Sequence, residues 1–195
     1  MANHELDTDR SEEARIRLLD VAAGLFDREG IHAVSLDRVI EHADIPESEL
    51  RDAFGGRTEL IRAYLRLRHG RTREQVVRGL VSYRTPRDKL IGVFDIQGEA
   101  FAEPAFRGCV FVTATAQALP GDLVEEVTAE YRTWLHDLFY DLALAARAAQ
   151  PRELAEQLVL LYDGAGISAW MDSRPGTVNT SRSIATALVD AALPA

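Results

Sequence analysis

Between Ala43 and Phe54 the chain carries four carboxylates and one guanidinium, which belong to Asp44, Glu47, Glu49, Asp52 and Arg51. A guanidinium can bind phosphate in a bidentate way. A carboxylate near phosphates is repelled unless it accepts a hydrogen bond, for example from cytosine N4. The chemistry open to these side chains is therefore contact with a nucleic acid, and the excess of acidic groups opposes it.

Other chemistries have little support in the sequence. The five histidines are scattered, with no pair at the i, i+4 spacing that places two imidazoles on one helix face. Cys109 is the only cysteine, so an internal disulfide and a multi-cysteine metal site are excluded. Gly55-Gly56 lacks the phosphate-loop pattern, and no Gly-x-Ser-x-Gly elbow occurs. We expect no enzyme, no metal site and no cofactor, with Cys109 as a buried structural residue rather than a thiol sensor.

The composition is that of a globular protein. The 195 residues, 47% apolar and 27% charged, suffice for one large domain or two small ones. No apolar run approaches the ~20 residues of a membrane span, and the polar, acidic N-terminus does not resemble a secretory signal. We therefore expect a cytoplasmic protein without a membrane partner. The net charge of −9 argues against indiscriminate nucleic-acid binding but allows a local basic face.

The first half of the chain contains several residues that are typical of helix starts and helix ends. Apolar residues recur at helical spacing between Ser11 and Glu29, namely Ile16, Leu19, Ala23 and Phe26. Ser35 can cap a second helix, and Pro46 stands at the start of a third that runs through Phe54. A longer fourth helix begins near Leu60 and runs toward Leu80.

The second half continues this pattern. Thr85-Pro86-Arg87-Asp88 looks like a capping box that opens a helix to about Ala102, and Pro104, Pro120 and Pro151 mark further helix starts. A final helix carries apolar residues on one face, namely Ile184, Ala187, Leu188 and Ala191. The sequence therefore predicts an all-α fold of about nine helices.

Two short helices between an amphipathic helix and a long one have the layout of a helix-turn-helix. The residues from Ala14 to Leu65 resemble the N-terminal domain of the TetR family of bacterial transcription regulators. The resemblance rests on Leu19, Ala22, Ala23, Leu25, Phe26, Gly30, Ser35, Leu50, Phe54, Glu59 and Leu60. Two later segments, FRGCVFVTATAQALPGDLVEEV and ELAEQLVLLYDGAGISAW, look like segments of one of its large subgroups.

The resemblance implies a homodimeric repressor that binds double-stranded operator DNA and is released by a small-molecule effector. Residues 1–56 would form the DNA-binding domain, and residues 57–195 the ligand-binding and dimerisation domain. The implied DNA contacts are Ser35, Arg38, Glu47, Ser48, Glu49, Arg51 and Arg57, with Arg57 in place of a phosphate-binding lysine. The implied dimer contacts are Leu158, Leu161, Ala165, Ile184 and Leu188, for which packing within one chain is the alternative.

The family builds its effector pocket in the central helices. The residues implied there are Phe94, Gln97, Phe101, Phe111, Thr113, Gln117, Trp134, Tyr140, Tyr162 and Trp170. Ordinary core packing is the alternative for each of them, since aromatic residues at helical spacing fill cores by default. Only the mixture with Gln and Thr indicates a cavity with a few polar anchors.

The chain departs from the family pattern in the third helix, where Pro46, Ser48, Arg51 and Ala53 replace the usual residues. Asp44 replaces the turn glycine, and Asp tolerates a left-handed turn better than most residues do. Three interpretations of the acidic helix stay open. The carboxylates stabilise the helix N-terminus, or they read an unusual operator, or operator binding is weakened or lost. In the last case the protein is a ligand-binding dimer or pairs with a basic partner.

Overall fold

The computed structural model describes residues 2–103, 106–116, 118, 123–172 and 176–194, and for residues 2–10 the backbone alone. These ranges contain nine α-helices and no strand, which confirms the all-helical prediction. The helices are α1 (Ala2–Glu29), α2 (Leu36–Ala43), α3 (Glu47–Phe54), α4 (Arg57–Leu80), α5 (Pro86–Phe101), α6 (Val110–Ala116), α7 (Leu123–Ala145), α8 (Pro151–Asp172) and α9 (Thr177–Ala192). In the described ranges no helix is both long and apolar enough to cross a membrane.

Several helices begin at the capping residues and prolines that the sequence indicated. The Ser35 hydroxyl accepts a hydrogen bond from the backbone N–H of Arg38 at the start of α2. The Thr85 hydroxyl likewise accepts from the N–H of Asp88, and Pro86 is the first residue of α5. Pro151 begins α8, whereas the predicted starts at Pro104 and Pro120 lie outside the described residues.

The chain divides into two compact units, Met1–Arg68 with Thr113–Val127, and His69–Val112 with Thr128–Ala195. The division falls inside α4, whereas the sequence placed the domain boundary after residue 56. The first part of α4 stays with α1 because Tyr64, which is fully buried, meets the Phe26 ring edge-on at 5.1 Å between centroids. Its hydroxyl also donates to Oδ1 of Asp27 at 2.6 Å.

In the first unit, α1 packs against α2 and α3. The buried stripe of α1 consists of Leu18, Ala22, Ala23, Leu25 and Phe26. Ile16, expected on this apolar face, is instead 59% exposed.

In the second unit, α5 packs against α8 and α9. Close approach of α5 and α9 requires Gly98, because a Cβ there would lie 2.5 Å from Cγ1 of Val178. The guanidinium of Arg87 on α5 adds a two-pronged ion pair with Asp190 on α9, at 2.7 and 2.9 Å. These contacts fix α9 against the core of its own unit.

The face of α9 that packs within the unit differs from the expected one. Ser181, Ala185 and Val189 are buried, whereas Ile184 is 44% exposed. Ala187 and Ala191 are exposed and Leu188 is half-buried. The predicted apolar face is therefore largely open in the subunit.

Candidate nucleic-acid interface

The turn between α2 and α3 has the geometry of a helix-turn-helix connection. Asp44 ends α2 with φ 52° and ψ 49°, in the left-handed region. Its backbone N–H donates to the carbonyl of Glu41 at 3.3 Å, and the N–H of Ile45 donates to the carbonyl of Ile40 at 3.4 Å. The turn therefore forms without its usual glycine, as the sequence predicted for an aspartate.

One face of α3 is fixed to the core and the other points to solvent. Leu50 and Phe54 are buried, and the guanidinium of Arg15 on α1 lies 4.9 Å from the centre of the Phe54 ring. Glu47 and Ser48 are exposed at the opposite edge, in the first turn of the helix. In a helix-turn-helix the residues near the N-terminus of the second helix contact base edges.

Arg38, on α2, is held by a carboxylate of α1. Its two terminal nitrogens donate to the two carboxylate oxygens of Glu29, with Nη2 to Oε1 at 2.8 Å. The side chains are 42% and 30% exposed, and this fork-to-fork arrangement is the strongest geometry of such a pair. In the isolated subunit the charge of Arg38 is thus neutralised.

Arg51 is paired within α3 itself. Its Nη2 donates to Oε1 of Glu47, one helical turn earlier. The two side chains remain 69% and 64% exposed. The pair therefore lies on the open face of α3, with no net charge.

Arg57, at the start of α4, has an internal role. Its two terminal nitrogens donate to the backbone carbonyls of Ile31 and Val34, in the loop between α1 and α2. The contacts are partly buried. The phosphate contact implied by the resemblance therefore conflicts with this orientation, because the guanidinium must leave two carbonyls to reach DNA.

The charge balance of this surface follows from these contacts. The range from Ser35 to Arg57, all of it described, holds six acidic and three basic residues. Each of the three guanidiniums there has an acceptor within the chain. The sequence did not reveal Glu29 as a partner of Arg38, because the pairing depends on how α1 meets α2.

A shallow cleft of about 460 Å³ also lies on the first unit, between α1, the end of α3 and α4. Three basic side chains, Arg15, Arg62 and Arg66, border it together with Asp52 and Glu59. Arg62 is bound to Glu59 at 2.9 Å.

Of the residues expected in the effector pocket, Phe94 and Gln97 both contact Tyr162 in the second unit. Phe94 and Phe111 are buried, and Phe111 stacks on Tyr131 with 4.1 Å between ring centroids. Buried Gln97 donates from Nε2 to the carbonyl of Tyr162 at 2.8 Å, while its Oε1 accepts no hydrogen bond from the described residues. These positions have the packing of a core.

The remaining expected pocket residues are dispersed. Phe101, Trp134 and Tyr140 are half-buried, and Trp170 is 45% exposed. Thr113 belongs to the first unit, and Gln117 lies outside the described residues. The described structure therefore does not bring the ten residues together around one cavity.

Cys109, expected to be a buried structural residue, is half-buried. Burial raises the pKa of its thiol. Burial also raises the pKa values of Tyr131 and Tyr162, whose side chains are hydrogen-bonded to each other. A thiol that stays protonated is a poor nucleophile, which favours a structural Cys109 over a sensor. Among the described residues no group of three His, Cys, Asp or Glu could hold a metal ion.

The expected dimer residues differ in exposure. Leu158 and Ala165 are buried inside the subunit, so they have little surface to offer a second copy. Ile184 is exposed, and Leu161 and Leu188 are half-buried. The open apolar side chains of α8 are instead Leu160, Ile167, Trp170 and Met171.

Comparison with known proteins agrees with this geometry. Residues 18–64 match the model of bacterial regulatory proteins of the tetR family. The HTH-type transcriptional regulator YjdC of Escherichia coli (strain K12) is 23% identical over 172 residues, covering 86% of this chain and 89% of that protein.

Solved structures of two regulators share the fold along nearly the whole chain. SCO4454, a TetR-family transcriptional regulator from Streptomyces coelicolor, matches with a TM-score of 0.87 and 26% identity, over 94% of this chain and 97% of that one. A tetR-type regulator (sav143) from Streptomyces avermitilis MA-4680 matches with a TM-score of 0.80 and 26% identity, over 92% and 97%.

Proposed function

Because this chain belongs to the TetR family of bacterial regulatory proteins, we propose that it binds operator DNA as a homodimer and regulates transcription. The observation that carries the proposal is the turn at Asp44. It presents α3 with Leu50 and Phe54 on the core and Glu47 and Arg51 on the open side. This is the arrangement that a reading helix needs in order to enter a major groove.

The paired arginines are compatible with DNA binding. An exposed ion pair contributes only about 0–1 kcal/mol, so the contact with Glu47 opposes binding of Arg51 to DNA by no more than that amount. Non-specific attraction remains weak, since it depends on uncompensated positive charge. We therefore expect this protein to depend on base contacts more than on phosphate contacts.

Regulation is proposed to follow the family. Repression would be relieved by a small molecule that binds in the second unit, in the cytoplasm, and two copies would join through the open apolar faces of α8 and α9. The exposure of Leu160 and Ile184 supports the location of this interface.

Selection from fragmented genomic DNA tests the proposal. Purified protein is incubated with the fragments, and the retained DNA is sequenced against the input pool. We expect enrichment of a site with two related half-sites about one helical turn, ~34 Å, apart. A retained pool indistinguishable from the input, with folded dimeric protein, would contradict DNA recognition.

A second candidate function is binding of a ligand or a basic protein without operator affinity. It is favoured by one observation, the engagement of Arg38, Arg51 and Arg57 by acceptors within the chain. If this second candidate function is correct, the genomic selection enriches no DNA sequence over the input pool, and the protein is still a dimer. The two candidates are thereby separated in one experiment.

A further inference from the structure

The Glu47–Arg51 pair offers the hydrogen-bond donors and the acceptor that recognition of a G·C base pair requires. In the major groove guanine offers two acceptors, N7 and O6, and cytosine offers the N4 amino donor. Arg51 uses one terminal nitrogen for Glu47, and its other N–H groups are donors only. The second carboxylate oxygen of Glu47 is an acceptor only. Donor and acceptor thus stand side by side on one helix face.

The position of the pair fits this use. Glu47 is the first residue of α3, and Arg51 follows one turn later on the same side. Their exposures of 64% and 69% show that the described chain leaves the pair open. Resting on the DNA-binding function proposed above, we infer that Glu47 and Arg51 act together as a specificity determinant that selects a G·C pair in each half-site.

Because the Glu47–Arg51 pair is neutral, it can discriminate between bases. A lone arginine is attracted to every phosphate, whereas this pair carries no net charge and is not drawn to the backbone. Opposite thymine, whose O4 is an acceptor, the second carboxylate oxygen of Glu47 meets another acceptor and gains no hydrogen bond. Such a mismatch disfavours the wrong base as well as favouring the right one.

The chain provides a matched control on α4. Glu74 and Arg78 have the same residue types, the same order and the same i, i+4 spacing, with Nη1 to Oε1 at 3.1 Å. Their side chains are 61% and 70% exposed, like those of the pair on α3. Substitution of the α4 pair therefore removes the same charges away from the reading helix.

The test is selection from a DNA pool with randomised half-sites, followed by sequencing. It compares wild type with Glu47→Gln, Arg51→Gln, Glu74→Gln and Arg78→Gln, each checked for folding by circular dichroism. We expect wild type and the α4 variants to select a G·C pair. Glu47→Gln should lose the cytosine preference and Arg51→Gln the guanine preference, by about 5- to 100-fold.

Two results would overturn the inference, and they differ in meaning. A specific wild-type pool whose base preferences persist in Glu47→Gln and Arg51→Gln shows that other residues read the operator, with the DNA-binding function intact. A wild-type pool without any base preference overturns the DNA-binding function together with the inference.

Discussion

Both carboxylate oxygens of Glu29 accept a hydrogen bond from Arg38, one from each terminal nitrogen, so a residue of α1 neutralises an arginine expected to contact DNA. The two residues are nine positions apart in sequence. The contact joins α1 to α2 beside the proposed reading helix. In the proposed DNA-bound state, Glu29 therefore competes with phosphate for Arg38.

Substitution of Glu29 by Gln is expected to raise DNA affinity, because Arg38 can then bind phosphate without displacing a carboxylate. The slope of log affinity against log salt should steepen by about 0.9, the value for one additional phosphate contact. Glu41→Gln is the control, since it removes a negative charge from an exposed site of α2. Equal affinities and salt slopes for the two variants, measured by fluorescence anisotropy, would show that Arg38 is not released.

The main role of Arg57 is expected to be stabilisation of the folded protein. In Arg57→Ala the carbonyls of Ile31 and Val34 lose their donors, and a partly buried group without a partner costs about 1–3 kcal/mol. Urea denaturation measures the loss. Arg51→Ala, which removes only an exposed pair, should change the free energy of unfolding by less than about 1 kcal/mol. An unchanged stability for Arg57→Ala, with DNA affinity lowered uniformly, would restore its role as a phosphate contact.

His69 is expected to make the protein less stable in mild acid. Burial, together with the positive charge of Arg73, lowers the pKa of His69 from its ordinary 6.5 and outweighs the opposing effect of Glu130. As the pH falls through 6.5, the unfolded chain binds the proton more readily than the folded one does. The free energy of unfolding contributed by this group therefore decreases as the pH falls.

The measurement is urea denaturation at about pH 7.5 and about pH 5.5, a range that spans the unfolded pKa. The stability lost between these values should be smaller in His69→Gln than in wild type. His32, an exposed residue of the loop after α1, provides the control, and His32→Gln should lose as much as wild type. If His69→Gln loses as much stability between the two pH values as wild type does, His69 does not cause the pH dependence.

Ile184→Glu tests the proposed dimer. The side chain is 44% exposed on the open face of α9, and a carboxylate buried between two apolar faces costs several kcal/mol. Analytical ultracentrifugation should show a dimeric wild type and a largely monomeric variant. Val81→Glu, at a position 81% exposed in the turn after α4, should stay dimeric. A dimer that persists in Ile184→Glu would place the interface elsewhere.

Features set by neighbours in sequence could be predicted. Ser35, Pro46 and Thr85 mark helix starts because their effects act within one turn, and the structure has α2, α3 and α5 there. The left-handed turn at Asp44 follows from the same local reasoning. The resemblance of residues 14–65 gave the layout of the first unit.

Features set by distant residues could not be predicted. Arg57 meets carbonyls that are 23 and 26 positions away, and only the packed loop after α1 places them within reach. Ile16 and Ile184 are apolar at helical spacing, yet both are exposed in the subunit. Periodicity identifies an apolar face without saying whether the same chain or a second copy covers it.

The central claim, recognition of operator DNA by α3, is tested most directly by a ratio of affinities. Fluorescence anisotropy of the purified protein is measured on its own upstream intergenic DNA and on a scrambled duplex, at several salt concentrations. We expect a preference of about 1,000-fold or more for the upstream DNA at physiological salt, which persists as salt rises. A ratio near one at every salt concentration, with folded dimeric protein, would contradict the claim and favour a binder without operator affinity.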